Sequence, residues 1–255
     1  MHFTFIDKLI LFPLIFLAGF VDSIAGGGGL ISLPAYLFIG LPGHYALGTN
    51  KLSSTIGTVF STFRYAKGRA IVYSVGLPSV VGSLLGSYLG AKLALHISSE
   101  RLKLILTLLI PLAAVFVFLG RVREKKNNNN VTLYNIETYV ISFLIGLSVG
   151  TYDGFFGPGT GTFLIILYVS ILSLNHVCAS GTAKIVNLAS NIGALITFII
   201  GGKVLYSLGL PAALFGILGN WLGSGLALKK GSKVIKPIIL AVLVILFVKI
   251  LSDIV

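Results

Sequence analysis

Apolar runs follow one another along almost the whole chain, at about residues 9–25, 29–40, 45–63, 71–91, 104–120, 136–156, 160–173, 177–200, 204–228 and 234–251. A bilayer's hydrocarbon core asks for about 20 apolar residues in one helix. Eight of the runs are long enough. Only 10% of residues are charged, against about 25% in a soluble domain, and mean hydropathy is +1.00. Backbone polar groups in lipid must be satisfied internally, which selects helices. The expected fold is therefore all-α, a polytopic transmembrane bundle with eight long spans and two short segments. The short ones, 29–40 and 160–173, each follow a glycine-rich break and read as the second parts of broken or re-entrant helices.

The formal net charge of +12 would suggest nucleic acid in a soluble protein. Here the basic residues fall in short loops between apolar runs, as the positive-inside rule describes, so the partner is the lipid bilayer and not nucleic acid. The one cysteine, Cys178, can form no internal disulfide, and reads as a small buried hydrophobe. No metal-ligand spacing, haem motif or nucleophile–base set is present, so no metal, no cofactor and no enzyme activity are expected. The first 25 residues lack a basic cluster ahead of their apolar run and share the internal similarity described next. They read as a retained membrane segment, not a signal peptide.

Two of the seven acidic residues interrupt apolar sequence, and each opens the same cassette. Asp22 precedes Gly26-Gly27-Gly28-Gly29 and, further on, Gly48-Thr49-Asn50-Lys51. Asp153 precedes Gly157-Pro158-Gly159-Thr160-Gly161 and then Gly181-Thr182-Ala183-Lys184. The offset is 131 at the aspartates and 133 from Gly48/Gly181 onward, where it also aligns Gly76-Leu77-Pro78 with Gly209-Leu210-Pro211 and Gly86 and Gly90 with Gly219 and Gly223. Chance matching of apolar residues would not align Asp, Lys, Pro and a glycine series together. The chain thus reads as two homologous transmembrane repeats, 1–120 and 135–255, joined by a polar linker at 121–134. If each repeat crosses five times, the loops at 64–69, 121–126 and 229–236 share a side and collect eleven Lys/Arg against six opposite; with four crossings the split is ten to seven. Charge asymmetry thus favours inverted repeats.

Consecutive glycines, or Gly-Pro-Gly, do not continue a lipid-facing helix cheaply. Unwound backbone at membrane depth must be buried in protein or line an aqueous cavity. There its free N–H groups and the following helix N-terminus suit an anion. Close packing through small residues is the blander account, and it suits Gly82, Gly86 and Gly90 better than four glycines in a row. Lys51 and Lys184 each begin a polar stripe at helical spacing: Lys51, Ser54 and Thr58 in one repeat, Lys184, Asn187 and Asn191 in the other. The lysines either face the protein interior or snorkel to the interface. Asp22 and Asp153 either carry protons or pair with the lysines. His44 and His176, each near the start of the second cassette helix, read as ordinary loop histidines.

The stretch Gly19-Phe20-Val21-Asp22-Ser23-Ile24-Ala25-Gly26-Gly27-Gly28-Gly29-Leu30-Ile31-Ser32-Leu33-Pro34, with Ala46-Leu47-Gly48-Thr49-Asn50-Lys51-Leu52, resembles the TauE/SafE (TSUP) family of sulfite and organosulfonate exporters. The resemblance covers nearly the whole chain. It implies a prokaryotic inner-membrane permease for small sulfur-containing anions such as sulfite, thiosulfate or sulfonates. The expected reading is a secondary transporter working by alternating access, with a passive anion channel or an accessory subunit as alternatives. The candidate substrate-binding residues are Gly26, Gly27, Gly28, Gly29, Thr49, Asn50, Lys51, Ser53 and Ser54 in the first repeat. In the second they are Gly157, Gly159, Thr160, Gly161, Thr182, Lys184 and Asn187. Asp22 and Asp153 are the candidates for proton coupling. Asn50 faces Ala183 at the matching position, so the two half-sites differ chemically.

Overall fold

The computed structural model describes residues 3–102, 105, 135–231 and 233–234. The 121–134 linker, nearly all of the 104–120 run and the 234–251 run beyond residue 234 lie outside the described residues. Within them the chain is helical: α1 (Phe5–Ala25), α2 (Gly29–Phe38), α3 (Gly43–Lys67), α4 (Tyr73–His96), α5 (Ile136–Phe155), α6 (Thr160–Ser170), α7 (His176–Ile200) and α8 (Tyr206–Lys230). Four of these, α1, α4, α7 and α8, are long and apolar enough to cross a membrane. Helix α3 has 25 residues, but much of its surface is polar and turned inward: Asn50, Lys51, Ser53 and Thr58 are all buried.

Local chemistry sets the boundaries. Thr4 and Asp7 form a capping box at the start of α1. Asn135 and Asn175 cap α5 and α7 by accepting from Thr138 N and Cys178 N, both at 2.9 Å. Helix α1 stops at Gly26, whose φ of +78° is the left-handed conformation that glycine reaches without a Cβ penalty. Helix α5 stops before Gly157, and Gly157 (φ +100°) and Gly159 (φ +84°) turn the chain into α6. Beyond each break the chain folds back. A Cβ built on Gly28 would lie 2.4 Å from Asp22 Cβ and 2.5 Å from Ala18 O, which places the start of α2 alongside α1. Cys178 is only part-buried and accepts a contact from Asn175 Nδ2 at 3.3 Å, a correction to its expected full burial.

The helices interleave across the chain's midpoint. Helix α4 packs most extensively on α5 and also on α7, while α8 packs on α1 and α3; α3 also meets α7. Contacts advance in step along α4 and α5. Ser79, Ser83 and Ser87 abut Gly146, Gly150 and Gly154, and Gly82, Gly86 and Gly90 abut backbone from Phe143 to Phe155. A Cβ on Gly90 would lie 2.0 Å from Thr151 O, so these glycines exist to let two backbones touch. The same stepwise contacts run along α8 and α1, where Gly219 meets Phe16 and Gly223 meets Phe20 and Ser23. They recur along α8 and α3, where Gly209 meets Thr49 and Leu52, and Gly57 meets Gly216 and Asn220. These pairs are therefore parallel. Helices α3 and α7 are antiparallel: Gly48 lies against Phe198, whereas Ala70, just past the end of α3, lies against Gly181. So α1, α3 and α8 point one way, and α4, α5 and α7 the other.

Candidate functional site

Lys51 sits on α3, 2% exposed, and Asp153 on α5, also 2% exposed. Either charge alone would be very costly at that burial. They meet: Lys51 Nζ donates to Asp153 Oδ2 at 2.6 Å and to Asn191 Oδ1 at 3.0 Å. The carboxylate is further satisfied by Ser190 Oγ, 2.5 Å from Oδ2, and Thr160 Oγ1, 2.7 Å from Oδ1. Asn191 is in turn steadied by donating from Nδ2 to Asn187 Oδ1 at 2.8 Å.

The second pair mirrors the first with partners exchanged. Lys184 Nζ on α7, fully buried, donates to Asp22 Oδ2 on α1 at 2.7 Å. Each lysine is thus paired with the acid of the other half of the chain. The surroundings differ. Among the described residues Asp22 accepts one further hydrogen bond, a long one of 3.4 Å from Gly28 N, and its side chain is 17% exposed against 3% for Asp153. At offset 133 the place of Ser190 is taken by Gly57, and at offset 131 that of Thr160 by Gly29, so Asp22 lacks both hydroxyls.

The two breaks meet backbone to backbone. A Cβ on Gly26 would lie 2.1 Å from Gly161 C, and one on Gly29 would lie 3.1 Å from Pro158 Cα. Thr162 Oγ1 donates to Ala25 O at 2.7 Å across this crossing. Beside it lies a polar cavity of about 40 Å³, counted as space open to the centre of a water molecule. One water needs roughly 10–15 Å³ on that measure, so the space suits a few waters or a small ion.

Of the residues singled out in the sequence, Gly26, Gly28, Gly29, Asn50, Lys51, Ser53, Ser54, Gly157 and Asn187 line this cavity, as do Asp22 and Asp153. Gly27, Gly159, Thr160, Gly161 and Lys184 lie off it, Thr160 and Lys184 standing behind the two acids. Thr49 and Thr182 also lie off it and have matching structural engagements. Thr49 Oγ1 accepts from Leu205 N, and Thr182 Oγ1 from Val72 N, both at 3.0 Å, so each threonine holds the start of a helix of the other half, α8 and α4 respectively. His44 ties the start of α3 to the end of α4 through Ser99 Oγ (2.8 Å) and Ala94 O (3.1 Å); His176 is fully buried. Sequence reasoning did not single out Ser32, Gly216 and Asn220, which also line the cavity. Asn220 left a usable signal: it is an amide in the middle of the apolar 204–228 run, where the other repeat has Ser87. Among the described residues no group of three or more His, Cys, Asp or Glu could hold a metal ion.

Residues 11–250 match the family model described as Sulfite exporter TauE/SafE. The chain belongs to the TauE/SafE family. A Sinorhizobium sp. relative named probable membrane transporter protein ORF9 is 38% identical over 95% of this chain and 92% of its own length. The Escherichia coli K12 protein named probable membrane transporter protein YfcA is 36% identical over 96% and 89%. A Haemophilus influenzae protein named probable membrane transporter protein is 34% identical over 97% and 96%. No solved structure matches the chain. Family and relatives make this TauE/SafE member a membrane transporter and not an enzyme.

Proposed function

We propose that this TauE/SafE member is a secondary permease for small sulfur-containing anions such as sulfite, thiosulfate or sulfonates, working by alternating access in the inner membrane of a prokaryote. The observation that carries the reading is the polar cavity between the halves, closed by two ion pairs that each join one half to the other. Two lysines against two aspartates leave this centre with no net formal charge. An anion entering alone would unbalance it. An anion entering with one proton would not: a proton on Asp153 frees Lys51 for the anion, and one on Asp22 frees Lys184. Asp22 and Asp153 are thus the coupling acids of the proposal. The backbone of the two breaks, with Asn50, Ser53, Ser54 and Asn187, shapes the site around the lysines.

The architecture proposed is a pair of inverted repeats, 1–120 and 135–255, with eight long spans and two short segments, α2 and α6, each of which counts as a crossing. Its support is directional: α1 and α3 run opposite to their counterparts α5 and α7, and α4 opposite to α8. Because α3 and α8 are parallel, Arg64, Lys67 and Arg69 share an end of the bundle with Lys229, Lys230 and Lys233, which the positive-inside rule assigns to the cytoplasm. In this reading, rocking of one half on the other breaks and remakes the crossed pairs as the cavity changes sides.

The test is uptake and counterflow of radiolabelled sulfite in proteoliposomes, with wild type and the double variant Lys51→Gln/Lys184→Gln. Saturable counterflow that vanishes in a folded double variant is the expected result. Unchanged uptake in that variant would sink the anion-site proposal, and flux without saturable exchange would make the protein a pore.

A further inference from the structure

The C-terminal ends of α3 and α8 meet where a Cβ on Gly68 would lie 2.9 Å from Leu228 Cδ2. Six cations flank that contact in the sequence: Arg64, Lys67 and Arg69 on one side, Lys229, Lys230 and Lys233 on the other. All but Arg64 are exposed, and among the described residues none of the six forms an ion pair. The same packing recurs at the opposite end of the bundle, where a Cβ on Gly201 would lie 2.9 Å from Leu95 Cδ1. There the positions at offset 133 hold Thr197, Ile200 and Gly202, with His96, Ile97 and Glu100, and no Lys or Arg. The helix-end contact therefore forms without these cations.

The positive-inside rule accounts for charge in the loops at this end, but not for how two of the arginines are held. Arg64 is half-buried. Its guanidinium lies 4.5 Å from the centroid of the Trp221 ring, and Nη1 donates to Trp221 O at 2.6 Å. A Cβ on Gly225 would lie 2.2 Å from Arg64 Nη2, so that glycine opens the notch the guanidinium fills. Arg69 stands at φ +52°, where its counterpart is Gly202 at φ +65°, so an arginine is kept where glycine would be unstrained. One to two turns nearer the middle of the helices, Phe60 on α3 and Leu214 and Leu218 on α8 are exposed. Their spacing puts them on the faces that carry Arg64 and Trp221. Tryptophan favours the boundary between head groups and hydrocarbon. A cationic rim above an exposed apolar face, with a tryptophan between them, matches an amphiphile with an anionic head. We infer that this corner is a docking site for an anionic phospholipid. Its phosphate meets the arginines and lysines, and an acyl chain runs along Phe60, Leu218 and Trp221. Free phosphate would leave the apolar face uncovered.

The chain's one tryptophan, Trp221, is the reporter. The full chain is reconstituted in phosphatidylcholine vesicles doped with either acyl-brominated phosphatidylglycerol or acyl-brominated phosphatidylcholine. Quenching of Trp221 by bromine gives the relative affinity of the two lipids at this corner. Wild type is expected to prefer the anionic lipid by about fivefold or more, the factor that one cation near an anionic surface supplies. The preference should shrink toward unity at about 1 M salt, where charges are screened within about 3 Å. It should also fall in folded Lys67→Gln/Arg69→Gly/Lys229→Gln/Lys230→Gln, which keeps Arg64 on Trp221. Equal quenching by the two lipids in wild type would overturn the inference and leave the cations with topology alone. A preference unmoved by salt, or surviving in full in the folded quadruple variant, would overturn the assignment to this corner. The wild-type ratio at low and high salt decides even if the variant does not fold.

Discussion

Removing one member of the Lys51–Asp153 pair should be costlier than removing both. Both side chains are 3% exposed and 2.6 Å apart. Truncating one partner of a buried pair costs about 3–5 kcal/mol, because the survivor is left charged and uncompensated. The surroundings order the two single variants. Lys51→Met leaves Asp153 with the hydroxyls of Ser190 and Thr160, whereas Asp153→Leu leaves Lys51 with only the amide oxygen of Asn191. Lys51→Met should fall near the lower figure and Asp153→Leu near the upper. The double variant removes both charges and should return to within about 1 kcal/mol of wild type, a coupling of several kcal/mol. At about 2–4 °C per kcal/mol for a chain of this size, the single variants should unfold roughly 4 °C or more below the double. The reporter is Trp221, the chain's one tryptophan, which lies under the Arg64 guanidinium at 4.5 Å. The double variant should be folded and inactive in sulfite uptake. Additive destabilisation in the double variant would refute the pairing, and full transport by a folded double variant would refute its role in the mechanism.

Coupled entry of one proton with a monoanion predicts that acid outside accelerates uptake into vesicles, while a membrane potential clamped with potassium and valinomycin leaves the rate unchanged. Potential-driven uptake without a pH effect would contradict it. Gly26→Ala should fail to yield monodisperse protein, since its Cβ would meet Gly161 at 2.1 Å on a backbone at φ +78°. Gly40→Ala, at φ +87° but with nothing within 4 Å, should cost only the left-handed strain of about 1–2 kcal/mol and stay active. Equal behaviour of the two alanine variants on size-exclusion chromatography would refute the backbone crossing.

Much of this was legible in the sequence because the signals are local. Four glycines in a row, and Gly-Pro-Gly, end a helix wherever they stand, and the helices do stop at Ala25 and Phe155. The lengths of the apolar runs place the remaining described helices to within a few residues. The site was only half legible. Aligning the repeats equates Asp22 with Asp153 and Lys51 with Lys184, but equivalence is not contact, and no offset reveals that each lysine reaches the opposite acid. Thr49 and Thr182 showed the same ambiguity: a matched polar pair beside the lysines suggested ligand contacts, and in the fold their hydroxyls cap Leu205 and Val72. Asn220 was hidden for the converse reason, since a search for matched residues passes over a position where the repeats disagree.

The interleaving of α4 with α5 bears on how the molecule is made. Translation delivers α4 first, carrying the Gly82, Gly86 and Gly90 face that packs against α5. Until α5 is synthesised and inserted, that bare groove must rest against lipid or the insertion machinery. Likewise α1, made before α8, waits for it. Neither half is a folding unit, so a premature stop in the second half would leave no working half-transporter. A stop before α8 would leave the α1 groove without its occupant, the kind of surface that membrane proteases and insertase chaperones can recognise.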